Sequence, residues 1–196
     1  RAIGNPKERF AEDHLRMLRA IRFSSRLEFS IESNTAESIR ELSHELAGVS
    51  RERIGEEVKQ MLLDPNRGVA GWELQYLGLD RIILEEESCM NAPTRLGRLP
   101  EQSSYATTLA AWILDRHGSG SDLSAITTKW QKQLLLSNRC FAELTSILKV
   151  HQTMSTWNSI GIAKQKRTAS LPTFISALSL AQAEDSPLFI HIKQSI

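Results

Sequence analysis

From Leu15 to Phe23 the apolar residues Leu15, Met17, Leu18, Ala20, Ile21 and Phe23 recur at helical rather than alternating spacing. The punctuation around them is also helical. Pro6 suits a first helical turn, where its missing N–H has no partner to lose. A second helix is predicted from near Asn34, with Glu37 as its capping-box partner, ending at a left-handed Gly48. A third is predicted from Ser50 to just before Pro65. Val69–Leu77 and Leu79–Leu84 read as short helices, and residues 85–100 as a loop. Ser104–Arg116 is Ala-rich and apolar, which predicts a buried helix. Gly118-Ser119-Gly120-Ser121 is a break between segments. One or two helices follow over Ser124–Ser155, then Thr156–Gln165 and Leu171–Ala183. No stretch reads as a strand, so the expected fold class is all-α, a multi-helix array with short connections.

The same opening run carries Glu12, Asp13, Arg16, Arg19 and Arg22. If one helix holds them, steps of three residues at about 100° each line up Asp13 and the three arginines in a slanted row. Their side chains would then be about 5–6 Å apart. A carboxylate only accepts hydrogen bonds, and a guanidinium donates several in a rigid fork. Asp13 can accept from the exocyclic amine of cytosine or adenine while Arg16 donates to the neighbouring ring atom. Guanine and uracil present the opposite pattern at one or both places. Arg19 and Arg22 supply charge for phosphates. Asp13–Arg16 is equally the i,i+3 ion pair of a solvated helix face, worth only a few tenths of a kcal/mol.

The rest of the composition limits the choice. The chain has 196 residues, 41% hydrophobic and 24% charged, with net charge +1. Residues 1–67 carry 12 Lys/Arg against 12 Asp/Glu, residues 68–114 carry 3 against 6, and residues 115–196 carry 9 against 5. The last third thus holds a modest basic surplus, which includes the cluster Lys164, Lys166 and Arg167. That cluster reads as a solvated face or as a contact for an RNA backbone. Cys89 and Cys140 stand far apart with no partner motif, and the five histidines have no metal-ligand spacing. No metal site is expected in the chain, nor a membrane span, and a reducing cytoplasm is the expected setting.

Two motifs carry a resemblance. Ile3-Gly4-Asn5-Pro6, Arg9-Phe10, Glu12-Asp13-x-x-Arg16 and Leu18-Arg19-Ala20-x-Arg22-Phe23 resemble the segment after the catalytic head in class II, bacterial-type tRNA nucleotidyltransferases and poly(A) polymerases. Glu52-Arg53-x-x-x-Glu57-x-x-x-x-Leu62 is similar to the next neck helix of that family. Arg53 and Glu57 are expected to pair as i,i+4 neighbours.

The resemblance implies a neck over 1–84, a body over 85–117 and a body and tail over 118–196 that binds tRNA. It implies nucleotide-reading roles for Asp13, Arg16, Arg19 and Arg22, with Glu12, Arg53 and Glu57 supporting them. It also implies a full-length, magnesium-dependent enzyme that transfers CMP or AMP from CTP or ATP to an RNA 3′ end. CCA-adding, CC-adding, A-adding and poly(A)-adding enzymes share these motifs.

The family's Gly-Ser and Asp-x-Asp head motifs are not found in these 196 residues, so no catalytic residue is expected within the chain. The similar-looking Gly118–Asp122 has Ser124 where a second Asp belongs. By itself the chain is therefore expected to be inactive. The competing expectation is a non-catalytic helical RNA-binding or scaffold module.

Overall fold

The computed structural model describes residues 4–184, 189–190 and 192. Ile3 of the first motif and His191 lie outside them. All regular structure among the described residues is helical.

Asn5 caps α1 (Pro6–Glu12) by accepting from the Lys7 N–H, with Pro6 in the first turn. The chain then breaks. Asp13 is extended, at φ −157° and ψ 105°, and α2 runs Arg16–Arg26. The opening run is therefore two helices rather than one.

Glu32 caps α3 (Ser33–Leu42), its carboxylate accepting from the Asn34 and Thr35 N–H groups. Glu37 makes no capping box here and pairs with Arg40. A 3-10 turn, Ser43–Gly48, extends α3, and the left-handed glycines are Gly4, Gly78 and Gly118, not Gly48. The expected single helix to Gly48 is thus an α-helix with a tighter last stretch. Next come α4 (Arg51–Leu63), α5 (Arg67–Tyr76) and α6 (Leu79–Leu84).

The expected loop at 85–100 contains a short helix, α7 (Thr94–Arg98). Its Gly97 disguised it, because glycine disfavours helix. The glycine is there for packing. A Cβ on Gly68 of α5 would lie 2.7 Å from the Gly97 Cα, so the two backbones meet where neither residue has a side chain. Gly68→Ala should force the helices apart and lower unfolding free energy by about 1–3 kcal/mol. Urea denaturation would measure it.

The remaining helices are α8 (Tyr105–His117), α9 (Leu123–Gln133), α10 (Asn138–Ser155), α11 (Ile162–Ala169) and α12 (Phe174–Ala183). Helix α8 is the axis of the second half: every residue from Ala106 to Arg116 is buried. It packs on α4, α7, α10 and α12, while α2 packs on α4 and α5. The buried apolar residues form one cluster running from Phe10 to Ile192.

Several polar groups inside this cluster are paired, while Asp80 Oδ1, the Tyr105 hydroxyl and His151 Nδ1 are buried without a hydrogen-bond partner among the described residues. Trp112 stands edge-on to Trp130, with ring centroids 5.1 Å apart. Its indole N–H donates to Gln75, which in turn donates to the Cys89 and Asn91 carbonyls. The buried Arg67 donates to the carbonyls of Asp64, Pro100 and Glu101, pinning the segment before α8 to the start of α5. Leu134-Leu135-Leu136-Ser137-Asn138 turns α9 into α10. The Leu134 carbonyl sits where a Cβ on Gly55 of α4 would be only 2.7 Å away, and Ser137 caps α10.

Candidate nucleotide-recognition site

The break between α1 and α2 shapes the site. Asp13 Oδ1 accepts from the Leu15 N–H at 3.1 Å, and the Arg16 N–H donates to the Asp13 carbonyl at 3.0 Å. Asp13 therefore leads into α2 from outside the helix, where a negative charge suits the helix's positive end. Its second oxygen, Oδ2, accepts from Arg53 Nη2 at 3.0 Å. The expected row of four on one helix is corrected to a row of three arginines on α2, with the carboxylate offset before it. Asp13 and Arg16 do not form the i,i+3 ion pair either, since Arg53, from α4, takes the carboxylate. Burial pushes the Asp13 carboxyl up, but the Leu15 N–H and the Arg53 guanidinium outweigh it and hold it below the usual carboxylate range. It is an ionised acceptor at neutral pH.

Arg16 Nη1 donates to Glu12 and to the Arg9 carbonyl, and Arg9 also pairs with Glu12. The Arg16 hydrogen bond lowers the Glu12 pKa, with the charges of both arginines adding to it against the cost of desolvation. A guanidinium has five donors, so one occupied terminal nitrogen leaves Arg16 able to engage a ligand.

Arg19 and Arg22 converge on one residue. Glu57 of α4, whose side chain is 8% exposed, accepts from Arg19 Nε at 3.1 Å and from Arg22 Nε at 2.7 Å. The Glu57 contact uses Nε on both arginines, so their terminal amines stay outside it. The two differ in access: the Arg19 side chain is 46% exposed and that of Arg22 is 14%. The Arg22 guanidinium also lies over the Phe23 ring, 4.3 Å from its centroid. Arg53 and Glu57, expected to pair with each other, instead reach across to α2 and its entry, one holding the acid and the other two bases. Two packed helices with complementary charges thus satisfy each other, which i,i+4 counting within α4 does not reveal.

Arg53 is the residue whose task sequence spacing missed. Its position in the Glu-Arg-x-x-x-Glu pattern marked it as important without indicating Asp13 as its partner. Lys164, Lys166 and Arg167 all lie on α11, Lys166 and Arg167 in its last turn, and all three are exposed or partly so. Among the described residues no three His, Cys, Asp or Glu side chains are grouped to hold a metal ion. No helix among them is long and apolar enough to cross a membrane.

Comparison with known proteins bears on the fold and the family. Residues 28–87 match the family model described as the probable RNA and SrmB-binding site of polymerase A. The CCA-adding enzyme of Pediococcus pentosaceus is 40% identical over 121 residues, which is 58% of this chain and 30% of that protein. The CCA-adding enzyme of Bacillus cytotoxicus is 30% identical over 162 residues, 81% of this chain and 39% of that one. The chain thus spans about a third of the length of these curated relatives. The solved CCA-adding enzyme of Bacillus stearothermophilus, in complex with CTP, superimposes with a TM-score of 0.77 at 23% identity. That match covers 99% of this chain and 49% of the solved one, and it shows the shared helical fold. By its two helix motifs, its relatives and its fold, the chain belongs to the tRNA nucleotidyltransferase family.

Proposed function

We propose that the chain is the nucleotide-selecting and RNA-binding part of a template-independent, cytoplasmic nucleotidyltransferase that adds CMP or AMP to tRNA 3′ ends. The observation that carries this reading is the Asp13 carboxylate, ionised and held from two sides, at the start of a helix whose Arg19 and Arg22 are fixed by Glu57. Cytosine and adenine each present an amine donor beside a ring-nitrogen acceptor. An acid that accepts and an arginine that donates match that edge. They reject uracil and guanine, which offer a carbonyl where the amine would be. Arg19, the more open of the pair on Glu57, supplies charge to the triphosphate of CTP or ATP. Arg22 is mainly a brace for the helix face.

Among the described residues no three His, Cys, Asp or Glu side chains are grouped for a divalent metal. Joining the nucleotide to RNA is assigned to a magnesium-binding catalytic head outside these residues. On this reading 1–84 is the neck, 85–117 the body, and 118–196 the body and tail. The reading is tested in the full-length protein, where Asp13→Ala should relax the choice among the four nucleotides. Unchanged choice overturns it.

The RNA-binding half has its own test. Cations on α11 suit a phosphate backbone, and each phosphate they neutralise releases counterions. Replacing Lys164, Lys166 and Arg167 together by Ala should weaken tRNA binding uniformly across tRNAs. It should also lower the salt-dependence slope by roughly one unit for each phosphate that is no longer neutralised. Filter binding at several salt concentrations measures both. A slope equal to the parent's removes α11 from the RNA path.

A further inference from the structure

The outer face of α5 carries an apolar stripe that the core does not use. The helix buries Ala70, Gly71, Leu74 and Gln75 against its neighbours. On the other side Val69, Trp72 and Tyr76 follow one another at helical spacing, 52%, 37% and 52% exposed. Trp72 and Tyr76 are stacked, with centroids 6.1 Å apart and planes 16° from parallel. The Arg40 guanidinium, reaching over from α3, lies 4.3 Å from the Tyr76 centroid. Arg40 itself is held only loosely by Glu37, at 3.6 Å. A cation, a phenol ring and an indole therefore lie side by side at the surface.

We propose that Trp72, Tyr76 and Arg40 form a stacking platform for unpaired bases of single-stranded RNA. The inference rests on the RNA-binding reading above and gives it a location. Bases stack on exposed aromatic rings with little regard to sequence, and a guanidinium adds cation–π attraction and a charge for the adjoining phosphate. A merely hydrophobic contact needs neither parallel rings nor an arginine laid on one of them. All three residues fall within the stretch matched by the family model described as the probable RNA and SrmB-binding site of polymerase A. Helix α5 also packs against α2, with Ser24 donating to Glu73 at 2.8 Å. The platform is thus tied rigidly to the helix proposed to select the nucleotide.

The test uses the Arg1–Ile196 chain, a labelled twelve-nucleotide oligoadenylate, a blunt RNA duplex and tRNA. Trp112, Trp130 and Trp157 are buried, so base stacking should quench chiefly Trp72 fluorescence. Trp72→Ala and Tyr76→Leu should each weaken oligoadenylate binding about five- to 150-fold, the range measured for loss of one stacking ring. Trp72→Phe should hold affinity within about threefold while abolishing the quench. Duplex binding should be the same in all variants. Circular dichroism checks that each variant folds.

Oligoadenylate affinity of folded Trp72→Ala within twofold of the parent overturns the platform while leaving the RNA-binding reading intact. Trp72→Leu binding as well as Trp72→Phe overturns it too, since stacking is then not needed. A Trp72-dependent dimer in sedimentation, with RNA affinity unchanged by the substitution, would mark the stripe as a protein contact instead. Failure of the parent chain to bind either the oligonucleotide or tRNA removes both readings.

Discussion

Asp13→Ala in the full-length protein will let UTP and GTP compete with CTP and ATP. The carboxylate supplies the only group in the proposed reading that accepts the base's exocyclic amine. Hydrogen bonds to a charged group contribute about 1.5–3 kcal/mol, so discrimination between CTP and UTP should fall by about 10- to 150-fold. The loss should appear in kcat/KM for the correct nucleotides, with those for UTP and GTP unchanged or raised. Arg16→Ala should act in the same direction, because the donor half of the edge is lost. Arg53→Ala keeps the carboxylate but removes the guanidinium that orients Oδ2. It should therefore cost less selectivity than Asp13→Ala, and Arg53→Lys should restore part of it. Competition between radiolabelled CTP and unlabelled UTP measures all of these. Selectivity of Asp13→Ala within twofold of the parent would remove Asp13 from base recognition.

How much of this site was legible in sequence depended on whether the controlling force was local. The buried α8 was visible because its Ala-rich, apolar run from Ala106 to Leu114 has no polar stripe to face water. Helix α4 was visible because Ser50 and Pro65 bracket it. The break at Asp13 had a local sign, an aspartate just before a helical run, where N-caps belong. The continuous periodicity on both sides of it favoured one helix instead. Helix α7 could not be read from residues 92–99, because Gly97 is explained only by Gly68, which lies on another helix. The Asp13–Arg53 and Glu57–Arg19–Arg22 contacts span 35 to 40 residues, so spacing within α4 pointed to a local pair that tertiary packing replaces. The motifs identified these residues as a set, while only the packing of α2 on α4 says which charge meets which.

The largest loss of stability should come from a residue that no motif marked. Arg116 has a side chain 2% exposed and sits between two acids. It donates through Nη1 to Asp80 at 2.6 Å, through Nε to Glu86 at 3.2 Å, and through Nη2 to the Glu87 carbonyl at 3.2 Å. Glu86 also accepts from the Trp130 indole at 2.7 Å and pairs with His117 at 3.1 Å. One cation thus joins α6, the segment after it and α8, with α9 attached through Trp130. Arg116→Met fills the space but leaves the fully buried Asp80 without its partner, which should cost about 3–5 kcal/mol. Domains of this kind have about 5–15 kcal/mol in total, so the urea midpoint should fall by about a fifth or more. Adding Asp80→Leu to Arg116→Met should recover part of the loss, because the stranded charge goes with it. A single-variant cost under about 1 kcal/mol would show that water reaches the site and relieves it.

The same cluster sets the acid response. Burial pushes the Glu86 carboxyl up, but His117, the Trp130 indole and Arg116 together hold it below its ordinary value of 4.5. A depressed carboxyl stabilises the fold above its unfolded pKa, and that stability is lost as pH falls through the lower folded value. The stability gap between the parent and Glu86→Gln should therefore narrow as pH falls below about 4.5. A gap that widens on acidification would mean that Glu86 is protonated in the folded chain before it is in the unfolded one. That outcome would require the three partners to contribute less than burial costs, contrary to their geometry around a carboxylate this closely held.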